Sequence, residues 1–179
     1  MIAMHYGAIK KRDIANGPGV RVSLFVSGCT HHCPGCFNSD TWDFTYGEPF
    51  TPQTEREIID LMAPEYISGI SLLGGEPMEV QNQRVLLPLL RKIKAQYPAK
   101  TVWCYSGYVL EELTGISRAR CEVTDELLSL IDVLVDGRFV AAKKDIRLRF
   151  RGSSNQRLID LNKTRAAGEI VLWDDGAKK

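Results

Sequence analysis

Residues 19–36, which read GVRVSLFVSGCTHHCPGC, join a strand pattern directly to a cluster of cysteines. Valine or leucine occupies every second position from 20 to 26, and this period of two predicts a β-strand. The loop that follows carries Cys29, Cys33 and Cys36 in the spacing C-x3-C-x2-C. The strand therefore delivers three thiols to one point of the fold.

Strand-like and helix-like segments alternate through the rest of the chain. Strand patterns occur at 69–77 (GISLLGGEP), 100–108 (KTVWCYSGY) and 132–139 (DVLVDGRF), and helical patterns at 54–64, 80–98 and 124–131. In the first helix, Thr54 and Glu57 have the spacing of a capping box. Such alternation predicts βαβ units and a parallel sheet. About four units make half of an eight-unit barrel, so we expect an α/β fold that forms an open partial (β/α) barrel of parallel strands.

Length and composition predict one globular domain. The chain has 179 residues, 44% of them hydrophobic and 25% charged, with a net charge of +1. These values are typical of soluble proteins and give no reason to expect nucleic acid or anionic lipid as a partner. The N-terminus lacks the apolar run of a signal peptide, so we expect a cytoplasmic protein with reduced cysteines. We expect a single domain, 1–179, with a core of about 17–140 and a C-terminal extension of about 141–179 that covers an edge or the open mouth.

Unusual residues follow each of the four predicted strands. The cysteine loop follows the first strand, GGEP (74–77) the second, SGY (106–108) the third and DGRF (136–139) the fourth. Parallel strands end at the same edge of a sheet, and ligands bind at that edge in α/β folds. The sequence therefore predicts one site built from all four segments.

Three interpretations of the cysteine loop remain open at this point. Buried packing cysteines are typical of strands, whereas this loop is polar and rich in glycine. A structural zinc ion would need a fourth ligand, such as His31 or His32, and zinc ligands usually come as two pairs from separate segments. A [4Fe–4S] cluster fits better, because three thiolates can hold three irons and leave the fourth open. The remaining cysteines, Cys104 and Cys121, are not expected to be ligands, and Cys104 suits a small core residue.

The cysteine spacing resembles the signature of the radical S-adenosylmethionine (SAM) enzymes. The stretch NGPGVRVSLFVSGC (16–29) and the GGEP motif are similar to the activating proteins of glycyl-radical enzymes. HHCPGCFNSDTW (31–42), VLVDGRF (133–139) and FRGSSNQR (150–157) narrow the resemblance to the activating proteins of anaerobic (class III) ribonucleoside-triphosphate reductases. The resemblance covers roughly residues 5–160.

This resemblance implies a partial barrel of the radical SAM type and a defined chemistry. Cys29, Cys33 and Cys36 would hold one [4Fe–4S] cluster, and SAM would bind the fourth iron. Reductive cleavage of SAM would yield methionine and a 5′-deoxyadenosyl radical, which removes hydrogen from a backbone glycine. The implied partners are the large subunit of the reductase and a flavodoxin-like or ferredoxin-like electron donor.

The resemblance also implies which residues contact SAM. They are Gly35, Cys36, Phe37, Gly74, Gly75, Glu76, Ser106, Asp136 and Arg138. Gly35 stands where many members carry an aromatic residue, so the loop backbone or Phe37 would pack on the adenine instead. His31 and His32 are expected to face solvent. The basic residues Arg147, Arg149, Arg151 and Arg157 form either a solvated face or a docking surface for a protein partner.

Three alternative functions remain open. The protein could activate another glycyl-radical enzyme, act on a small molecule, or be a zinc-binding module without enzymatic activity.

Overall fold

The computed structural model describes residues 3–176 and places seven strands in one sheet. They are β1 (His5–Asp13), β2 (Val20–Val26), β3 (Glu48–Pro49), β4 (Ile67–Gly74), β5 (Thr101–Ser106), β6 (Val133–Asp136) and β7 (Arg157–Asp160). The order across the sheet is β3-β1-β2-β4-β5-β6-β7. The predicted strands are the four in the centre, β2, β4, β5 and β6, and they are parallel to one another. The α/β class is confirmed.

Three antiparallel strands flank this parallel centre. β1 and β3 extend the sheet beyond β2, and β7 pairs with β6 at the opposite edge. The sequence pattern did not predict β1, because most of its side chains are exposed and lack the alternation of a half-buried strand. β7, which belongs to the C-terminal part of the chain, pairs with β6 at the edge of the sheet. The partial barrel stays a prediction, since strand pairing defines order and direction but not closure.

Five helices complete the fold, namely α1 (Pro52–Leu61), α2 (Val80–Gln96), α3 (Leu110–Thr114), α4 (Thr124–Ser129) and α5 (Leu161–Ala167). The predicted start of α1 was wrong. Thr51 is the N-cap, and its side chain forms a capping box with Thr54 rather than Thr54 with Glu57. The short helices α3 and α5 were not predicted from the sequence. No helix between residues 3 and 176 is long and apolar enough to cross a membrane.

The two faces of the sheet have different environments. Alternate residues of the central strands, including Leu24, Leu72 and Cys104, belong to a large core together with residues of α1, α2, α3 and α4. The expectation that Cys104 is a core residue is confirmed. On the opposite face, Trp103 packs with Val133, Val135 and Leu158 in a smaller cluster, against which Phe150 and Trp173 lie. The C-terminal part therefore covers the face that lacks the main core.

Arg21 is fully buried and organises the second face. Its guanidinium donates hydrogen bonds to Ser71 Oγ at 2.8 Å and to the carbonyls of Ile70 and Thr101 at 2.9 Å. Burial lowers the pKa of Arg21 to about 10, which still leaves it charged at neutral pH. A Cβ at Gly17 would lie 2.7 Å from Arg21 Cδ, so this glycine makes room for the side chain. The GPGVR stretch thus has a packing role at the start of β2.

We expect Arg21→Met to lower the free energy of unfolding by about 3 kcal/mol, because buried carbonyl and hydroxyl acceptors lose their donor. Urea unfolding followed by circular dichroism measures this. Arg56→Met, on the exposed side of α1, is the matched control and should change stability by less than about 0.5 kcal/mol. Equal unfolding midpoints for the two variants would contradict the assigned role.

Candidate functional site

The carboxyl ends of the four parallel strands open on one cavity of about 350 Å³. Cys29, Cys33 and Cys36 all line it, and Gly137 and Phe139 contribute from the end of β6. Other predicted site residues in its wall are Phe37, Gly74, Gly75, Glu76 and Ser106. The four loops predicted to share one edge of the sheet therefore do meet around a single space.

The three thiols of the loop are free and differ in exposure. Cys29 is buried, whereas Cys33 and Cys36 are partly exposed. Burial raises the pKa of the Cys29 thiol to about 12 and also raises the pKa of Cys33. The Cys36 sulfur accepts a hydrogen bond from the amide of Asn38 at 3.4 Å. A bound cation would be needed to hold Cys29 as a thiolate at neutral pH.

This donor set fits an iron–sulfur cluster. Thiolates are the usual ligands of such clusters, and three of them line one cavity here. Between residues 3 and 176, no three His, Cys, Asp or Glu side chains are close enough to share one metal ion. A cluster does not require that closeness, because each thiolate binds a different iron.

Glu76 connects the loops that form the cavity. Its side chain is 1% exposed. One carboxylate oxygen accepts from the amide of Met78 at 2.8 Å and from Ser106 Oγ at 2.9 Å. The other accepts from the amide of Gly107 at 2.7 Å and faces His31 Nε2 at 2.8 Å. Glu76 was predicted to assist SAM binding, yet its two oxygens already make four contacts within the protein.

Two glycines at the end of β4 allow close packing of backbone on backbone. Gly74 has a φ of +105°, and a Cβ there would lie 2.7 Å from the carbonyl carbon of Phe25. A Cβ at Gly75 would lie 2.7 Å from the Gly28 carbonyl oxygen and 2.8 Å from that of Thr41. Because glycine has no side chain at these two positions, the GGEP turn can pack directly against the backbone at the start of the cysteine loop.

Comparison with known proteins identifies the family. Residues 15–159 match a family model described as a 4Fe-4S single cluster domain. Over 155 residues, the chain is 47% identical to the anaerobic ribonucleoside-triphosphate reductase-activating protein of Escherichia coli (strain K12), covering 86% of this chain and 96% of that protein. The protein of the same name from Enterobacteria phage T4 is 38% identical over 155 residues, 87% of this chain and 93% of the phage protein. The chain belongs to the anaerobic ribonucleoside-triphosphate reductase-activating proteins.

Membership of this family confirms the resemblance seen in the sequence and supports an iron–sulfur cofactor. The matched region includes the cysteine loop, the GGEP turn and the whole RGSSNQR stretch (151–157). The parts of the chain that form the cavity are thus the parts shared with the family.

His31 occupies a different position from the one predicted for it. Its side chain is only 2% exposed, whereas His32 is exposed as expected and stacks on Trp42. Arg138 Nε lies 3.0 Å from His31 Nδ1. An arginine can only donate, so Nδ1 accepts and the ring proton lies on Nε2, facing Glu76. This histidine ties the cysteine loop to Glu76 and could not be distinguished from His32 by sequence.

Three of the predicted SAM contacts lie outside the cavity lining. Gly35 is exposed, and Arg138 is exposed and directed at His31. Asp136 is fully buried, where Arg157 donates to both of its oxygens at 2.9 and 2.5 Å. The amide of Leu110, at the first turn of α3, also donates to Asp136 at 2.8 Å. In this family member, Asp136 therefore anchors β7 and α3 to the end of β6.

Local partners occupy the four basic residues of the C-terminal part. Arg147 pairs with Asp145 at 2.9 Å, Arg157 pairs with Asp136 and Glu111, and Arg149 donates to the Asp175 carbonyl at 3.0 Å. Arg151 donates to the Gln156 carbonyl at 2.9 Å and is the only one of the four that lines the cavity. These contacts argue against one docking surface shared by the four arginines, and Arg151 alone borders the cavity.

Several lining residues were not predicted as site residues. They include Asn16, Trp42, Tyr105, Arg151 and Gln156. Tyr105 could have been found, because it directly precedes Ser106 at the carboxyl end of β5, the edge where the site was predicted. Asn16, Arg151 and Gln156 come from loops and Trp42 from a short 3₁₀ helix (Ser39–Trp42), and the approach of these segments to the cavity depends on tertiary structure.

We expect Glu76→Gln to destabilise the fold by about 2–3 kcal/mol despite its equal size. The amide NH2 group would face two donors in place of one carboxylate oxygen. Chemical unfolding of the metal-free protein measures the loss. Glu65→Gln, at an exposed position, is the control and should leave stability unchanged. Wild-type stability in Glu76→Gln would show that the four contacts do not organise the site.

Proposed function

We propose that this protein is a radical SAM activase that generates a glycyl radical on the large subunit of anaerobic ribonucleotide reductase. The observation that carries the proposal is the presence of three free cysteines from one loop in a single cavity with the ends of four parallel strands. The relatives named for reductase activation support the choice of protein substrate.

Cys29, Cys33 and Cys36 would hold the [4Fe–4S] cluster, which supplies one electron to cleave SAM into methionine and a 5′-deoxyadenosyl radical. That radical takes a hydrogen atom from the glycine Cα, so the products are 5′-deoxyadenosine and a glycyl radical. The balance requires one external electron for each SAM, and a flavodoxin-like or ferredoxin-like donor would supply it.

The residues of the chain would position these groups rather than take part in electron transfer. Glu76 and His31 hold the cysteine loop against the GGEP turn. The backbone at Gly74 and Gly75 borders the cavity beside the cysteines, where SAM would bind. Phe37 is 67% exposed at the cavity wall and could contact either the adenine or an incoming peptide. We place the protein in the cytoplasm as one domain, where its reductase partner would be.

We expect Cys29→Ser, Cys33→Ser and Cys36→Ser each to abolish assembly of the cluster. After anaerobic reconstitution, iron and sulfide analysis and EPR of the reduced protein measure it. Cys121→Ser is the matched control, since Cys121 hydrogen bonds to Gln83 and lies outside the cavity lining. It should bind iron as the wild type does. Zinc uptake in place of iron would favour the zinc-binding alternative.

We expect SAM to change the EPR spectrum of the reduced wild-type cluster. Addition of the reductase large subunit should then produce a glycyl radical signal and one 5′-deoxyadenosine per radical. A cluster spectrum that is indifferent to SAM would refute radical SAM chemistry. SAM could instead be cleaved with a radical formed on another glycyl-radical enzyme and none on the reductase. That result would refute the proposed protein substrate but would support radical SAM chemistry.

A further inference from the structure

Buried polar atoms without a partner concentrate at the cavity. Between residues 3 and 176, five buried side-chain nitrogen or oxygen atoms have no hydrogen-bond partner. Three of them, Trp42 Nε1, Tyr105 Oη and Arg151 Nε, belong to residues that line the cavity. Buried polar groups are almost always paired in folded proteins. Unpaired groups from three separate segments therefore indicate a polar ligand in this space.

Arg151 is the charged member of this set. Among the described residues that line the cavity, it is the only lysine or arginine, and Glu76 is the only aspartate or glutamate. Arg151 Nη1 donates to the Gln156 carbonyl at 2.9 Å, and Nη2 lies 3.8 Å from an Asp175 carboxylate oxygen. Its Nε remains without a protein acceptor. Protein groups thus hold the two Nη atoms of the guanidinium, while the Nε–H is left as a donor for a ligand.

The RGSSNQR stretch holds Arg151 in this position. Gln156 Oε1 accepts from the amides of Gly152 at 2.9 Å and Ser153 at 3.1 Å, and Gln156 Nε2 donates to the Gly137 carbonyl at 3.0 Å. Phe150, directly before Arg151, has a φ of +59°, which is uncommon for a bulky residue. The stretch therefore fixes Arg151 relative to the end of β6.

We infer that Arg151 binds the α-carboxylate of SAM through its Nε–H. The assignment rests on the proposed function. SAM is cationic at sulfur, and its carboxylate is the anionic group that a guanidinium recognises best. Arg138, the residue that the family resemblance implied for this role, lies outside the lining and donates to His31 instead. Arg151 is thus a substrate-binding residue that sequence motifs did not assign.

A comparison of SAM with decarboxylated SAM tests this assignment, because only the carboxylate differs. Equilibrium dialysis of the reconstituted wild type, Arg151→Gln and Arg151→Lys would give the dissociation constants for both compounds. Arg147→Gln is the matched control, since Arg147 is exposed and pairs with Asp145. Iron content and the cluster absorbance establish that each variant carries the cluster.

We expect Arg151→Gln to bind SAM at least about tenfold more weakly, as for the loss of one charge-assisted hydrogen bond. Its affinity for decarboxylated SAM should change less than about threefold. The affinity of Arg151→Lys for SAM should lie between those of the wild type and Arg151→Gln. Arg147→Gln should bind both compounds as the wild type does.

If Arg151→Gln lost affinity equally for both compounds, or kept the wild-type preference for SAM, the assignment of Arg151 would be overturned. The proposed function would not be affected, because the wild type would still bind SAM. Failure of the cluster-bearing wild type to bind SAM would refute the proposed function itself. The two failures are therefore distinguishable.

Discussion

The carboxylate of Glu76 is the interaction on which the site depends. It joins the cysteine loop after β2 through His31, its own turn after β4 through Met78, and the loop after β5 through Ser106 and Gly107. A buried carboxylate is costly unless donors surround it, so the four contacts stabilise the arrangement only when all three loops are in place. The same contacts leave Glu76 little capacity to bind a ligand. Its role is to set the positions of the groups that do.

The two faces of the sheet have different roles: one packs on the main core, and the other is covered by the segment that also contributes to the cavity. One face packs on α1, α2 and α4 and contains the main core, to which Cys104 belongs. The other face contains the buried Arg21 and a small cluster around Trp103 that Phe150 and Trp173 cover. This second cover comes from the C-terminal part of the chain, and the same part supplies Arg151 to the cavity. The C-terminal part of the chain thus both covers the second face of the sheet and completes the lining of the cavity.

The end of β6 shows how charges divide between structure and ligand binding. Asp136 and Arg157 satisfy each other and fix β7 beside β6, while Arg138 turns to His31. Arg151 is left as the cation directed to the cavity. Arg147 and Arg157 form ion pairs away from the cavity and Arg149 donates to a carbonyl, so only one of the four arginines in this stretch borders the site. Residue type alone does not distinguish these roles.

The sequence by itself determined the parallel centre of the fold, the meeting of four loops at one edge, and the three thiols. Apolar periodicity encodes strands, and parallel strands must end together. Only the tertiary structure decided the rest. β1 lacks a strong pattern because most of its side chains are exposed, and β7 joins β6 through pairing between residues 21 or more positions apart in the chain. The burial of His31, the engagement of Asp136 and the direction of Arg151 depend on partners 21 or more residues away or on loop geometry. A side chain's partner is a property of the folded chain, which spacing along the sequence does not contain.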